Sequence, residues 1–132
     1  MAEKIARQAT CPRASVGCIL ILRNLRVLRG FNGAPEGLQT CNEVGCLMEG
    51  GHCIRSVHAE MRVLAYAARH GHVLEGAKAF TTLLPCVNCM HTLHLAGVDI
   101  IHFDKSYDRP EREQVHLLAE RAGVKLIERS RS

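Results

Sequence analysis

The 132-residue sequence contains no tryptophan, and aromatic residues make up only 4% of it. A protein that binds single-stranded nucleic acid usually presents several rings on which bases stack, so this scarcity argues against a polynucleotide partner. The net charge is +4, yet no run of five or more positive residues is present. No apolar run approaches the roughly 18 residues that predict a membrane span. The segment Met1 to Gln8 lacks the apolar stretch of a signal peptide, so we expect a cytoplasmic protein without a membrane partner.

Length and hydrophobic content favour a single domain over residues 1–132. Domains typically have roughly 100–200 residues, and the sequence shows no internal repeat, low-complexity segment or linker. The hydrophobic pattern predicts helices over 1–9, 57–70, 86–96 and 110–122, and strands over 15–22, 26–31, 77–84, 99–103 and 124–127. Because a helix separates each of the later strands, those strands should pair in parallel. We therefore expect an α/β fold in which helices cover a mixed five-stranded sheet.

Cysteine is unusually frequent, with seven residues. Disulfides are improbable in a reducing compartment, so clustered cysteine and histidine indicate metal ligands or redox groups. Residues 38–56 form a Gly- and Cys-rich insert without periodicity. A structureless loop of about 20 residues is unusual inside a compact domain unless something organises it.

Two short motifs each open a predicted helix with residues of the kind that bind zinc. The first is His58-Ala59-Glu60 and the second is Pro85-Cys86-Val87-Asn88-Cys89. One imidazole and two thiolates would leave the fourth position of a tetrahedral zinc ion open, as a catalytic site requires. The positive ends of both helix dipoles would favour the thiolates. His-x-Glu combined with Pro-Cys-x-x-Cys is the pattern of zinc-dependent nucleobase deaminases.

Hydrolytic removal of an exocyclic amine accounts for each part of this pattern. The reaction needs a nucleophilic water near neutral pH, and zinc lowers the pKa of a bound water to about 7. It also needs a proton carrier, and Glu60 lies two residues from the ligand His58. A Cys86-x-x-Cys89 pair alone is equally typical of a thiol-redox centre or half of a structural zinc site, which makes a non-catalytic module the alternative.

Nearly the whole chain resembles the deoxycytidylate (dCMP) deaminases of the cytidine deaminase superfamily, including the late-competence type found in bacteria. The stretches that carry the resemblance are residues 11–17, 30–37, 41–46, 51–60, 74–76, 85–89 and 96–98. The resemblance implies a three-layer α/β/α cytidine-deaminase-like fold and a homo-oligomer, from dimer to hexamer. It also implies hydrolysis of dCMP to dUMP and ammonia in pyrimidine deoxynucleotide metabolism.

Carried over by position, the resemblance implies a role for six residues. His58, Cys86 and Cys89 would bind the catalytic zinc and Glu60 would shuttle protons. Asn32 would hydrogen-bond the sugar, and Tyr107 would contact the nucleotide near its phosphate. From the residues alone, the alternative for Asn32 is a turn residue before Gly33, and the alternative for Tyr107 is a partly buried packing residue.

A second, structural zinc ion could organise the insert. The candidate ligands are Cys11, Cys41, Cys46 and Cys53, with His52 as a competitor for Cys53. Relatives that resemble this chain often carry a second zinc at the positions matching Cys11 and Cys41. Free cysteines packed as small hydrophobic residues are the alternative. Cys18 lies in an apolar strand, which indicates a core residue.

Some positions depart from the pattern of the resembled family. Arg62 stands where an Asn is usual, two residues after Glu60, and Leu84 precedes Pro85 where Glu or a small polar residue is common. These departures concern substrate preference, regulation and subunit contacts, because none of them is a zinc ligand. A tRNA adenosine deaminase, or another nucleobase or nucleoside deaminase on the same scaffold, is the alternative within this chemistry.

Overall fold

The computed structural model of the protein describes residues 2–7, 9, 15–50 and 52–129. Five helices are described: α1 (Ala2–Ala6), α2 (Cys41–Val44), α3 (Ala59–His70), α4 (Val87–Leu95) and α5 (Glu111–Ala122). The described strands are β1 (Gly17–Ile21), β2 (Val27–Phe31), β3 (Met48–Glu49), β4 (His52–Cys53), β5 (Lys78–Leu83), β6 (Ile100–Lys105) and β7 (Lys125–Glu128). Each helix and strand expected outside the insert is therefore present, with bounds that differ by a few residues.

The main sheet contains β1, β2, β5, β6 and β7 in the spatial order β2-β1-β5-β6-β7. Strand β1 pairs antiparallel with both β2 and β5, whereas β5, β6 and β7 pair in parallel. The parallel half follows from the helices that connect its strands, since a parallel pair requires a crossover connection. The mixed sheet with parallel last strands is thus confirmed.

Residues of β1 alternate between the two faces of the sheet and show how the layers are arranged. Cys18 and Leu20 are fully buried in the main core, which also contains apolar residues of α3, α4 and α5. Ile19 points to the opposite face and packs with Ala2 and Ile5 of α1. One helix therefore covers one face and three helices cover the other, which confirms the three-layer α/β/α fold.

Two glycines allow helices to lie unusually close to the sheet. A Cβ atom on Gly30 of β2 would lie 2.5 Å from the carbonyl oxygen of Ala59, in the first turn of α3. A Cβ atom on Gly17 of β1 would collide with the backbone of α1 at Ala2 and would lie 2.7 Å from the nitrogen of Ala6. Because backbone atoms cannot rotate away, any side chain at either position forces the helix outwards.

This pair of glycines gives a matched test of how the position of α3 affects activity. We expect Gly30→Ala and Gly17→Ala each to destabilise the fold by about 1–3 kcal/mol, since both overpack a helix against the sheet. Gly30→Ala should also lower kcat/KM per folded molecule, by at least about tenfold and by more than Gly17→Ala does, because Ala59 lies between His58 and Glu60. Denaturant unfolding and steady-state kinetics measure the two effects. Equal losses of kcat/KM in the two variants would contradict this expectation.

The insert 38–56 contains short elements rather than an unstructured loop. Helix α2 begins with a capping box, in which Thr40 Oγ1 accepts from the amide of Glu43 at 3.2 Å and Glu43 Oε1 accepts from the amide of Thr40 at 3.2 Å. Strands β3 and β4 form a small antiparallel sheet. Such short elements bury little apolar surface, so an additional contribution to their order is expected.

The longest described helices, α3 and α5, have 12 residues each. Within the described ranges, no helix has both the length and the apolar character needed to cross a bilayer.

Candidate metal centre and active site

The first zinc-type cluster lies where the N-termini of α3 and α4 meet. His58 is the N-cap residue of α3 and Cys86 is the N-cap residue of α4. His58 Nδ1 lies 3.6 Å from Cys86 Sγ and 3.4 Å from Cys89 Sγ, and the three ligand atoms lie within 4.8 Å of one another. The fold therefore brings together the three side chains that the sequence motifs predict as ligands.

The geometry of these three atoms fits a tetrahedral zinc ion. With Zn–S bonds of about 2.3 Å and Zn–N bonds of about 2.0 Å, neighbouring nitrogen and sulfur ligands lie about 3.5 Å apart. The observed distances of 3.4 and 3.6 Å agree with this separation. A donor set of two thiols and one imidazole is also the chemistry that zinc prefers.

The local electrostatics favour a thiolate at this position. A hydrogen bond from Cys89 and another from His58 lower the pKa of the Cys86 thiol to about 4. The amide of Cys89 also donates to Cys86 Sγ at 3.4 Å, so the first turn of α4 contributes to this stabilisation. The hydrogen bond to Cys86 in turn raises the pKa of His58. Cys86 is therefore a thiolate at neutral pH and does not have to lose a proton when it binds a metal ion.

Glu60 lies beside the cluster in the first turn of α3, and only 4% of its surface is exposed. Burial raises the pKa of this carboxyl group to about 7, and the nearby Cys86 acts in the same direction. A carboxyl group with a pKa near neutrality can both accept and release a proton under working conditions. The position and burial of Glu60 therefore suit a proton carrier next to a metal-type site.

Asn32 is buried and lies directly after β2. Its side-chain Oδ1 accepts from the backbone N–H of Val16 at 2.8 Å. The next residue, Gly33, forms a two-way backbone bridge with Val57: the Gly33 amide donates to Val57 at 3.0 Å, and the Val57 amide donates back at 2.8 Å. Because Val57 precedes His58, the loop that carries Asn32 is attached to the start of α3.

Tyr107 lies just after β6 and contacts the residue that precedes Cys86. Its hydroxyl donates to the carbonyl of Pro85 at 3.3 Å, immediately before Cys86. The Arg109 guanidinium lies over the Tyr107 ring, 5.6 Å from its centroid. Burial raises the pKa of the Tyr107 hydroxyl to about 12, so the group stays protonated and remains a hydrogen-bond donor. The parallel pairing of β5 and β6 explains this proximity, since the carboxyl ends of both strands lie at one edge of the sheet.

A second group of thiols lies in the insert. The Sγ atoms of Cys41, Cys46 and Cys53 lie within 4.8 Å of one another, and those of Cys41 and Cys53 are 3.4 Å apart. Desolvation acts to raise the pKa of Cys53, but backbone hydrogen bonds from Leu47 and Arg55 outweigh it and lower the pKa to about 6. Three close thiols with one acidified member again fit a zinc-type donor set. Cys11 and the side chain of His52 lie outside the described part of the structure, while Cys18 is fully buried in the core as expected.

Arg62 is a residue whose contacts near the site the sequence analysis did not foresee. Its guanidinium donates to backbone carbonyls of the loop that contains Asn32. The departure from the usual Asn at this position was visible in the sequence, but nothing in the local pattern indicated its partners.

Comparison with known proteins gives the family. The sequence model described as the cytidine and deoxycytidylate deaminase zinc-binding region matches residues 1–104. The chain belongs to this family. Both zinc-type motifs, His58-Ala59-Glu60 and Cys86 to Cys89, fall within the matched region.

Two curated relatives and one solved structure agree with this assignment. The chain is 33% identical over 120 residues to ComE operon protein 2 of Bacillus subtilis, which covers 91% of this chain and 62% of the relative. It is 30% identical over 134 residues to the deoxycytidylate deaminase of Schizosaccharomyces pombe, covering 96% of this chain and 41% of the relative. The crystal structure of dCMP deaminase from cyanophage S-TIM5 in complex with dCMP and dUMP matches with a TM-score of 0.80 and 27% identity, over 97% of this chain and 90% of that one. The chain thus spans less than two thirds of the length of these two curated relatives.

Proposed function

We propose that the protein is a zinc-dependent hydrolase that converts dCMP and water to dUMP and ammonia. The observation that carries this proposal is the meeting of two helix N-termini, which places His58, Cys86 and Cys89 within 4.8 Å of one another beside a buried glutamate. The similarity to deoxycytidylate deaminases and to a structure complexed with dCMP and dUMP supports this choice of substrate.

His58, Cys86 and Cys89 would hold the catalytic zinc ion. When bound, the ion supplies a Lewis acid that makes water nucleophilic near neutral pH. The thiolate character of Cys86 and the helix N-termini would keep this site stable. These three side chains leave room for a fourth ligand, which a hydrolytic site needs for water.

Glu60 would carry the protons of the reaction. Hydrolysis forms a C4–O bond and breaks the C4–N bond of the cytosine ring. Water loses both of its protons, of which one ends on the ring nitrogen N3 and the other on the amine that leaves as ammonia. The Glu60 carboxylate would accept the first proton from water and donate it to N3, and would then accept the second proton from the C4 hydroxyl group and donate it to the leaving amine. Its burial excludes bulk water, which would otherwise compete for these proton transfers.

Asn32 and Tyr107 would bind the nucleotide from either side of the metal centre. The side-chain amide of Asn32, which is buried, would hydrogen-bond the sugar, as the resemblance implies. Tyr107, near the beginning of α5, would contact the nucleotide close to its phosphate, as the resemblance implies. The hydrogen bond from Tyr107 to the carbonyl of Pro85 would hold the tyrosine next to Cys86.

The proposal also includes a second zinc ion, bound by the insert. Cys41, Cys46 and Cys53 supply three thiols, and Cys11 is the candidate for the fourth ligand, with His52 as a competitor for Cys53. A closed four-ligand site would be structural and would provide the order that the short elements of the insert need. The homo-oligomer and the cytoplasmic location remain predictions from the sequence.

The substrate proposal is tested by measuring ammonia release from dCMP, dCTP, deoxycytidine and a tRNA stem-loop, together with the zinc content of the purified protein. We expect release from dCMP with a kcat/KM at least about a hundredfold above that for deoxycytidine, which lacks the phosphate and the binding energy that its contact contributes. Release from dCMP should also exceed that from dCTP and from the stem-loop. Release from the stem-loop with none from dCMP would favour the tRNA deaminase. Bound zinc without ammonia release from any substrate would favour a non-catalytic module.

A further inference from the structure

Arg62 connects the metal-binding turn of α3 to the loop that follows β2. Its backbone amide donates to the carbonyl of His58 at 3.0 Å, within the first turn of the helix. Its side chain is only partly exposed and extends to the end of β2, the edge strand of the sheet. One residue therefore contacts both the segment that carries the metal-type histidine and the segment that carries Asn32.

The guanidinium contacts the loop through three backbone carbonyls. Nε donates to Phe31 at 2.9 Å, and Nη2 donates to Gly33 at 3.0 Å and to Ala34 at 2.7 Å. The guanidinium also lies over the Phe31 ring, 4.6 Å from its centroid. These contacts are made on both sides of Asn32, so they define the path of the backbone at that residue.

Arginine is suited to this arrangement and lysine is not. A guanidinium offers several N–H donors in a rigid plane, and it stacks on aromatic faces while donating in its own plane. An ammonium group is a compact charge on a flexible stem and cannot reproduce the planar geometry. Hydrogen bonds from a charged donor are also stronger than neutral ones.

We propose that Arg62 is a positioning residue that fixes Asn32 relative to Glu60 and so sets the affinity for the nucleotide. The proposal rests on the proposed function, because it assigns Asn32 to the substrate. The Gly33–Val57 bridge holds the loop at a single residue, whereas Arg62 holds the residues on both sides of Asn32. Arg62 would act through Asn32 and would not touch the reacting atoms.

The test compares Arg62→Met and Arg62→Lys with Arg69→Met, which removes an exposed arginine from the last turn of the same helix. We expect Arg62→Met to raise KM for dCMP about tenfold with kcat changed less than about threefold, because a contact made equally in the ground and transition states is lost. Arg62→Lys should fall between wild type and Arg62→Met, and Arg69→Met should match wild type. Zinc content should be unchanged in all three variants.

A double-mutant cycle separates positioning of Asn32 from a general effect on folding. Asn32→Asp keeps the Oδ1 acceptor for Val16 but removes the amide donor. If Arg62 acts through Asn32, Arg62→Met should raise KM less than about twofold when Asn32→Asp is already present. Independent, multiplicative effects of the two substitutions would overturn the proposal.

Hydrogen exchange gives a readout that does not depend on the substrate. We expect Arg62→Met to increase the exchange rate of the Asn32 and Gly33 amides, which donate to Val16 and Val57, at least about tenfold, while amides of β6 stay at the wild-type rate. Unchanged exchange at residues 32 and 33 would overturn the positioning role whatever the kinetics show. A different result is possible: the wild-type protein releases no ammonia from dCMP, but Arg62→Met still increases the exchange rate. That result would contradict the proposed substrate and leave the positioning role of Arg62 supported.

Discussion

Glu60→Gln should leave zinc binding intact and reduce turnover of dCMP by about a thousandfold or more. Glutamine has nearly the same size and hydrogen-bonding reach, but it cannot accept and release a proton, and general acid–base catalysis contributes about 10²–10⁴-fold. Glu60 takes part in more than one proton transfer of the proposed reaction, so the loss should lie towards the upper end of this range. Zinc content and steady-state ammonia release are the two measurements.

Glu60→Asp serves as the control for this substitution. Aspartate keeps an ionisable carboxyl group but retracts it by one methylene, so its activity should fall between wild type and Glu60→Gln. Turnover of Glu60→Gln within tenfold of wild type, with zinc still bound, would contradict the role of Glu60 as proton carrier.

Cys89→Ala should remove one zinc ion per chain and abolish measurable ammonia release. Cys89 is fully buried at the metal centre, so no other side chain or solvent can readily replace its thiol. A site left with one imidazole and one thiolate binds zinc much more weakly, and the water then lacks the activation it needs. Metal analysis and kinetics on the same preparation measure both losses.

Two further cysteine substitutions provide the controls. Cys18→Ala removes another fully buried thiol, but from the β1 core, and should keep both the zinc content and kcat while costing about 1 kcal/mol of stability. Cys53→Ala should remove one zinc ion from the insert and reduce thermal stability, with ammonia release retained below the new unfolding temperature. Ammonia release from Cys89→Ala at the wild-type rate would refute the assignment of the catalytic site.

The clustering of His58, Cys86 and Cys89 was predictable because its signals are local. Cys86 and Cys89 are three residues apart at the start of one helix, and His58 begins another, so the spacing alone places each group on a helix tip. Helix periodicity and strand order then predicted parallel pairing of β5 with β6, which brings Tyr107 to the Cys86 edge. Both inferences use only the geometry of regular elements.

The contacts that the sequence did not reveal are those between segments with no shared periodicity. Arg62 donates to backbone carbonyls of residues 28 to 31 positions earlier in the chain. Every residue has a backbone carbonyl, so the sequence does not show which of them accept these hydrogen bonds. The close approach of α3 to Gly30 was also not predictable, because a glycine in a strand does not indicate which backbone segment will pack against it. The capping box formed by Thr40 and Glu43 in the insert was not predicted from the sequence, and the proximity of the three thiols there depends on the folded path of the chain.

The Gly33–Val57 bridge has a consequence for the tolerance of this chain to insertions. It fastens one end of the loop after β2, while the remainder of that loop, from Pro35 to Gln39, is exposed to solvent. Insertions or deletions within residues 35–39 should therefore leave the backbone at Val57, and with it the start of α3, in place.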